Sequence, residues 1–335
     1  MTEMRQIITY LSAHKTLTRD EARKVLSDIA NGIYDEVEMS SFLTIFLMRS
    51  ITVEELSGFR DALLEHCIRV DLACEPLIDL CGTGGDGKDT FNISTLASFV
   101  TAGAGARVAK HGNYGVSSTC GSSNILEYFG YQFTNDQDKL RNQVDKAGIC
   151  FLHAPLFNPA MKNIAPVRRG LRVKTFFNML GPMVNPAFPQ KQLVGVFSLE
   201  LARLYSYIYQ QTQKDFVIIH SLDGYDEISL TGDFKMISNK KEQLTGPEYL
   251  GLEKVSPIDI KGGTSVKESA DIFMQILEGK GTRAQQNVVA VNAAYALQCY
   301  FDRSLEECLD MANESISSAR AKQAFSNLIN ISKKG

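Results

Sequence analysis

Nowhere does this 335-residue chain hold the ~18 consecutive apolar residues that a membrane-spanning helix needs. Its opening stretch, MTEMRQIITYLSAHKTLTRDEARK, contains no apolar run of signal-peptide length, so the expected location is the cytoplasm. The seven cysteines (Cys67, Cys74, Cys81, Cys120, Cys150, Cys299 and Cys308) are odd in number, scattered and never spaced C-x-x-C. That argues against a disulfide framework and a structural zinc site, and leaves reduced thiols. A net charge of -3 gives no electrostatic reason to bind nucleic acid or a membrane surface. Internal repeats and low-complexity segments are missing too. What remains is ordinary for a soluble globular protein: 44% hydrophobic and 22% charged residues, in a chain long enough for one large domain or two smaller ones.

Residues 1–72 read as helical. TRDE (Thr18 to Glu21) and TVEE (Thr52 to Glu55) each place Thr at a helix N-cap and Glu three residues on, the capping-box pattern. Phe42, Leu43, Phe46 and Leu47 recur at helical spacing and predict a wide apolar face. From residue 73 the pattern changes. PLIDLC, ARVAKHG, GICFLHA, QLVGVFS and DFVIIHS are short apolar runs separated by helical stretches. Strands alternating with helices predict βαβ units and a mainly parallel sheet that takes ligands at the carboxyl ends of its strands. Beyond about residue 264 the chain reads as helical again.

Four segments carry chemistry. GTGGDG (Gly82 to Gly87) satisfies G-x-G-x-x-G after a predicted strand. A dinucleotide site would also need an acidic residue about 20 positions later, where Arg107 and Lys110 stand instead. The same stretch nearly fits a P-loop, but Asp89 occupies the Ser/Thr position that ligates Mg2+. The physics common to both patterns survives: glycines expose N–H groups, and a following helix N-terminus adds partial positive charge suited to phosphate. KHGNYGVSSTCGSS (Lys110 to Ser123) is a second donor-rich loop after the next strand, so a ligand with two separated phosphate groups fits this sheet edge. SLDGYDEISLTG (Ser221 to Gly232) is either a plain D-G turn or, through adjacent Asp226 and Glu227 at a strand end, an oxygen site for Mg2+. APVRRGLRVKT (Ala165 to Thr175) is either a solvated helix face or a guanidinium clamp for a carboxylate.

Together GTGGDGKDTFNIST, the KHGN loop with GSSN, NPAMKNIAPVRR, FNMLGPMVNP, LVGV and DGYDEISL resemble the anthranilate phosphoribosyltransferase family, in that family's order and along the whole chain. The related pyrimidine nucleoside phosphorylases share a KHGN-type loop but carry Val where Asp86 stands. The resemblance implies a small helical domain, residues 1–72, joined in space by a segment near 155–180. It implies a larger α/β domain over 73–335, of the nucleoside phosphorylase/phosphoribosyltransferase type, and a homodimer formed through the helical domain. The implied reaction transfers 5-phosphoribose from 5-phosphoribosyl 1-diphosphate (PRPP) to the amino group of anthranilate, in tryptophan biosynthesis.

Carried onto this sequence, Gly82, Gly85, Asp86, Thr90, Asn92, Ile93, Ser94 and Thr95 would cradle PRPP. Lys110, His111, Gly112, Asn113, Ser117, Ser118 and Ser122 would hold its phosphates and ribose. Ser94, Asp226 and Glu227 would bind two Mg2+ ions per subunit, Glu227 shared between them. Gly82, Asn113 and Arg168 would meet anthranilate, Arg168 at its carboxylate. No residue is assigned as general acid or base. The chain departs from the family's pattern at Tyr114, Asn124, Asn158, Asn163, Gly170 and Arg172, all toward the acceptor side. Two other readings follow: a phosphoribosyltransferase with another aromatic amine acceptor, or a non-catalytic paralogue that binds nucleic acid. The intact Asp226–Glu227 pair and the slightly acidic charge count against the second.

Overall fold

The computed structural model describes residues 3–115 and 118–333. Two compact units divide it, Met1–Arg69 with Ala154–Pro186, and Val70–His153 with Ala187–Gly335.

The first unit is helical. Helices Arg19–Ala30 and Val53–Glu65 both open with reciprocal capping boxes, at Thr18/Glu21 and Thr52/Glu55. Helix Glu36–Met48 buries Met39, Phe42, Leu43 and Phe46. Those rings meet Phe59 and Phe176, which stack 4.4 Å apart. Leu47 does not join them: it sits in the helix's last turn, beyond the packed stripe, and is 44% exposed. The capping Glu55 is fully buried and also pairs with Arg49 and accepts from the Leu17 N–H.

The second unit is built on a seven-stranded sheet of order β3-β2-β1-β4-β5-β6-β7. The five apolar runs of the sequence become β1 (Ile78–Gly82), β2 (Val108–Gly112), β3 (Ile149–His153), β4 (Lys191–Gly195) and β5 (Asp215–Ser221). These pair in parallel. An antiparallel hairpin, β6 (Phe234–Ser238) and β7 (Glu242–Thr245), extends the β5 edge. Ile78, Leu80, Val108, Phe151, Leu193 and Ile219 share one core with Phe99, Phe273, Val289 and Phe325 from the helices packed against the sheet. Strand alternation sends Asp79 and Gln192 to the other face, where Tyr209 of helix Leu199–Gln210 donates to Gln192 Oε1 at 2.6 Å. The chain proceeds from β1 to β2 and β3 on one side, then re-enters at β4 on the other. The crevice beyond the carboxyl ends of β1 and β4 is therefore the switch point, where open α/β sheets bind ligands.

Candidate functional site

Both ends of that crevice are glycines in register, Gly82 of β1 opposite Gly195 of β4, and the Thr83 N–H donates to the Gly195 carbonyl at 2.9 Å. Their missing side chains make room for one residue. A Cβ on Gly82 would lie 3.0 Å from Asp226 Cγ and closer still to Oδ2. A Cβ on Gly195 would lie 2.5 Å from the Asp226 carbonyl carbon and closer still to its oxygen. Past Gly82, Gly84 and Gly85 both take positive φ, and such a turn aims backbone N–H groups into a concavity. The Gly84 N–H donates to Asp226 Oδ2 at 2.7 Å. The loop then joins helix Ile93–Gly103, whose first turn carries Ser94 and Thr95.

Asp226 and Glu227 do not stand at a strand end, as the sequence suggests. β5 stops at Ser221, and the Asp223–Gly224 turn, with Gly224 at φ 98°, folds the chain back. Ser221 then fastens the returning segment: its N–H donates to the Tyr225 carbonyl at 3.1 Å and its Oγ to the Glu227 carbonyl at 2.6 Å. Asp226 is buried, and Glu227 accepts from Thr90 Oγ1 at 3.1 Å and from the Ser94 N–H. Burial, with the Asp86 carboxylate alongside, pushes the Asp226 carboxyl up to about 7. Burial, then Asp226 and Asp86, push Glu227 well above the usual carboxylate range. Asp86 Oδ2 is itself buried without a donor. No ion pair neutralises these three carboxylates among the described residues.

This is the electrostatic signature of a site that wants a cation. Carboxylate and hydroxyl oxygens suit Mg2+, which is commonly held by one or two carboxylates plus substrate phosphates. Among the described residues no cluster of three or more His, Cys, Asp or Glu stands ready as a cage, so such an ion would need oxygens from a ligand. Ser94, Asp226 and Glu227 line one small cavity with Cys81, Gly195 and Asn292.

The second donor loop is fastened to the first. The Thr119 N–H donates to Asp89 Oδ1 at 3.1 Å, and Asn92 Nδ2 to the Cys120 carbonyl at 2.9 Å. Asn124 closes this loop by accepting from the N–H groups of Gly115 and Gly121. Asn113 takes Ser122 Oγ and the Ser123 N–H on its carbonyl. Tyr114 reaches Glu127 through its hydroxyl and packs edge-on to His153 at 5.0 Å. Ser117 lies outside the described residues. Ile93, Thr95 and Lys110 are buried, and Lys110 Nζ donates to the Leu80 carbonyl at 2.7 Å. Burial lowers the Lys110 pKa, opposed by Asp79.

Arg168 belongs to the helical unit, in helix Met161–Leu171. Its guanidinium sits 5.1 Å from the centre of the Phe177 ring, and no carboxylate pairs with it among the described residues. Burial lowers its pKa, the mark of a cation short of an anion. Asn163 Nδ2 donates to the Ala30 carbonyl at 2.8 Å, and Asn158 Oδ1 is buried without a donor. Sequence reasoning gave no role to Gly195, which lies inside LVGV, or to Ser221, which heads SLDGYDEISLTG, and it passed over Asn292. Asn292 leaves a trace as one amide inside the apolar helical run VVAVNAAYAL.

Residues 5–67 match the helical bundle domain of a glycosyl transferase family, and residues 74–322 match the a/b domain of a glycosyl transferase family. The chain is 57% identical over 329 residues to the anthranilate phosphoribosyltransferase of Flavobacterium johnsoniae, covering 98% of this chain and 100% of that one. To the enzyme of that name from Bacteroides thetaiotaomicron it is 51% identical over 332 residues, covering 99% and 100%. The crystal structure of anthranilate phosphoribosyltransferase from Thermus thermophilus superposes with a TM-score of 0.91 at 30% identity, covering 97% of this chain and 99% of that one. The enzyme from Saccharomyces cerevisiae in complex with PRPP and Mg gives 0.91 at 25% identity, covering 99% and 98%.

Proposed function

The chain belongs to the anthranilate phosphoribosyltransferase family, and we propose that it transfers 5-phosphoribose from PRPP to the amino group of anthranilate, releasing pyrophosphate, in tryptophan biosynthesis. The observation that carries this reading is the uncompensated carboxylate pair Asp226–Glu227, set between two donor loops at the sheet's switch point. In this reading Gly82, Gly85, Asp86, Thr90 and Asn92 to Thr95 cradle PRPP. Lys110 to Asn113, Ser117, Ser118 and Ser122 serve its phosphates and ribose, Gly82 and Asn113 meet anthranilate, and Arg168 takes its carboxylate.

Ser94, Asp226 and Glu227 are the residues that would hold Mg2+, two ions per subunit. Bound there, Mg2+ offsets the negative charge that collects on the leaving pyrophosphate. The chain's own contribution is preorganisation. The Gly84 and Ser94 N–H groups fix the two carboxylates before substrate arrives, so no reorganisation is needed as the C1–O bond breaks. Anthranilate's amine is uncharged at neutral pH and attacks without a strong base. Holding it roughly 3–3.5 Å from C1 supplies much of the rate.

The homodimer belongs to the same reading. Val37 and Met48 on helix Glu36–Met48 are 75% and 86% exposed, an apolar edge that a second copy would cover. The expected location is the cytoplasm, which suits seven unpaired cysteines. The deciding experiment is pyrophosphate release from PRPP and Mg2+, with and without anthranilate, against a panel of aromatic amines. Anthranilate-dependent release supports the assignment. Release only with another amine keeps the PRPP half and overturns the acceptor; no release from folded protein overturns both.

A further inference from the structure

The segment that carries Asp226 and Glu227 is buried without being a strand, so its backbone polar groups lack ladder partners. Ile228, immediately after the pair, is fully buried. Its N–H donates to Asn292 Oδ1 at 3.1 Å, and its carbonyl accepts from Asn292 Nδ2 at 2.9 Å. One side-chain amide therefore does the work of a neighbouring strand. Asn292 sits near the middle of helix Arg283–Phe301, and its Nδ2 also donates to that helix's own Val288 carbonyl at 2.8 Å. The amide's orientation is thus set by the helix, and both of its ends are engaged. The side chain is 3% exposed and lines the same small cavity as Ser94, Asp226, Glu227 and Gly195.

We propose that Asn292 is the positioning residue of the Asp226–Glu227 pair: it locks the Ile228 peptide groups to a rigid helix and thereby fixes where the two carboxylates present their oxygens. Other constraints act around it. Ser221 holds Tyr225 and Glu227 by their carbonyls, and Gly195 leaves the space that the Asp226 backbone fills. Beyond the pair, Ser221 Oγ accepts from the Ser229 N–H at 3.4 Å and the Leu230 carbonyl from the Val255 N–H at 2.9 Å, but of these contacts only that of Asn292 engages Ile228, the residue adjoining Glu227. Without Asn292 the peptide groups next to the pair would lose their partner, and Glu227, whose carboxylate has the longer side chain and only the Thr90 hydroxyl and the Ser94 N–H to steer it, would lose its register. Valine or alanine, the neighbours of Asn292 in the run, would fill the core as well. The amide is explained by what it holds.

The inference rests on the metal and PRPP reading above, and its test separates the two. Mn2+ uptake in the presence of pyrophosphate is followed by electron paramagnetic resonance, and PRPP binding with Mg2+ by calorimetry, on wild type, Asn292→Ala, Asn292→Asp and Leu297→Ala. Leu297 is a fully buried residue of the same helix and is not part of the cavity lining, so its truncation reports a general loss of stability. All measurements are made well below each variant's melting temperature. Partners of this kind typically change metal affinity about 10–100-fold, so Asn292→Ala should weaken Mn2+ uptake by roughly that factor while Leu297→Ala leaves it near wild type. Asn292→Asp keeps the acceptor for the Ile228 N–H but loses the donor. It should fall between wild type and alanine, and it carries the test if the alanine variant does not fold. Wild-type affinity in either Asn292 variant, or an equal loss in Leu297→Ala, overturns the positioning role. Wild-type protein that takes up no Mn2+ with pyrophosphate overturns the metal reading itself, and the proposal with it.

Discussion

Gly195→Ala should abolish most activity while leaving the fold. The added Cβ would lie 2.5 Å from the Asp226 carbonyl carbon, about 1 Å inside ordinary contact, and nearer still to the oxygen. Strand β4 cannot retreat, because Gly195 is paired with Gly82 on one side and Ile219 on the other. The moving part must be the irregular Asp226 segment, which hangs on a few bonds from Ser221, Gly84 and Asn292. Displacing a reacting constellation by 1 Å costs on the order of 10²-fold, so kcat/KM for PRPP should fall by about that factor or more. Overpacking typically costs about 1–3 kcal/mol, enough to lower Tm without unfolding the protein at assay temperature. The assay is pyrophosphate release under limiting PRPP, with circular dichroism and a thermal melt on the same sample. A folded Gly195→Ala protein with kcat/KM within a few-fold of wild type would refute the claim that this glycine exists to seat Asp226.

Arg168→Ala should raise KM for anthranilate about tenfold or more and leave KM for PRPP nearly unchanged, since a lost charge-assisted contact is worth roughly 1.5–3 kcal/mol; equal effects on both substrates would remove its carboxylate role. Glu55→Ala deletes a fully buried carboxylate that caps its helix and pairs with Arg49, so chemical denaturation should show a loss of about 3–5 kcal/mol, and a loss below 1 kcal/mol would contradict that account. Gly170 is an exposed helical glycine whose added Cβ meets nothing within 4 Å, so Gly170→Ala should raise stability by about 0.5–1 kcal/mol. His153 is buried against Phe133 with Nδ1 bonded to Ser123, and burial, with His111 nearby, lowers its pKa against the opposing charge of Glu127. The unfolded chain then binds the extra proton just below the unperturbed His value of about 6.5, so stability falls as pH drops through that window, and a His153→Gln protein should show a shallower Tm–pH slope there.

Local rules made much of this protein legible. The Thr18 and Thr52 boxes are decided within four residues, and both formed as their sequences dictate. The five parallel strands were readable because each is a short apolar run, and all but β3 are closed by a glycine or a turn. The hairpin was not: Glu242–Thr245 is mostly exposed and polar, so it carries no apolar signal and depends on pairing with Phe234–Ser238. The return of Ala154–Pro186 to the helical unit leaves no local mark either, since it follows β3 without a break. Within the site, the glycine loop and the acidic pair announced themselves by composition. Gly195 and Asn292 did not, because their roles are set by Asp226 and Ile228, which lie far along the chain. Asn292 and Ile228 are 64 positions apart.

Buried charge divides this unit into two kinds of place, and the division separates structure from function better than residue type does. Asp79 is fully buried, yet it accepts from the His111 N–H at 3.1 Å and from Gln192 Nε2 at 3.3 Å, with the Lys110 ammonium close enough to act on it. Its neighbour Lys110 ends on the Leu80 carbonyl. Every charge there has a partner, so the network can rigidify β1 against β2 and β4 and needs nothing from outside. Past the ends of those strands Asp86, Asp226 and Glu227 crowd together with N–H and hydroxyl donors but no ion pair among the described residues, and the pKa values of Asp226 and Glu227 climb in consequence. A fold selected for stability alone would replace such a cluster by apolar side chains, because uncompensated buried charge is costly. In the function proposed above, a cation that arrives with the ligand offsets that cost. The unsatisfied cluster is then a binding site held open at the expense of stability, and the satisfied network beneath it is the frame that keeps it in place.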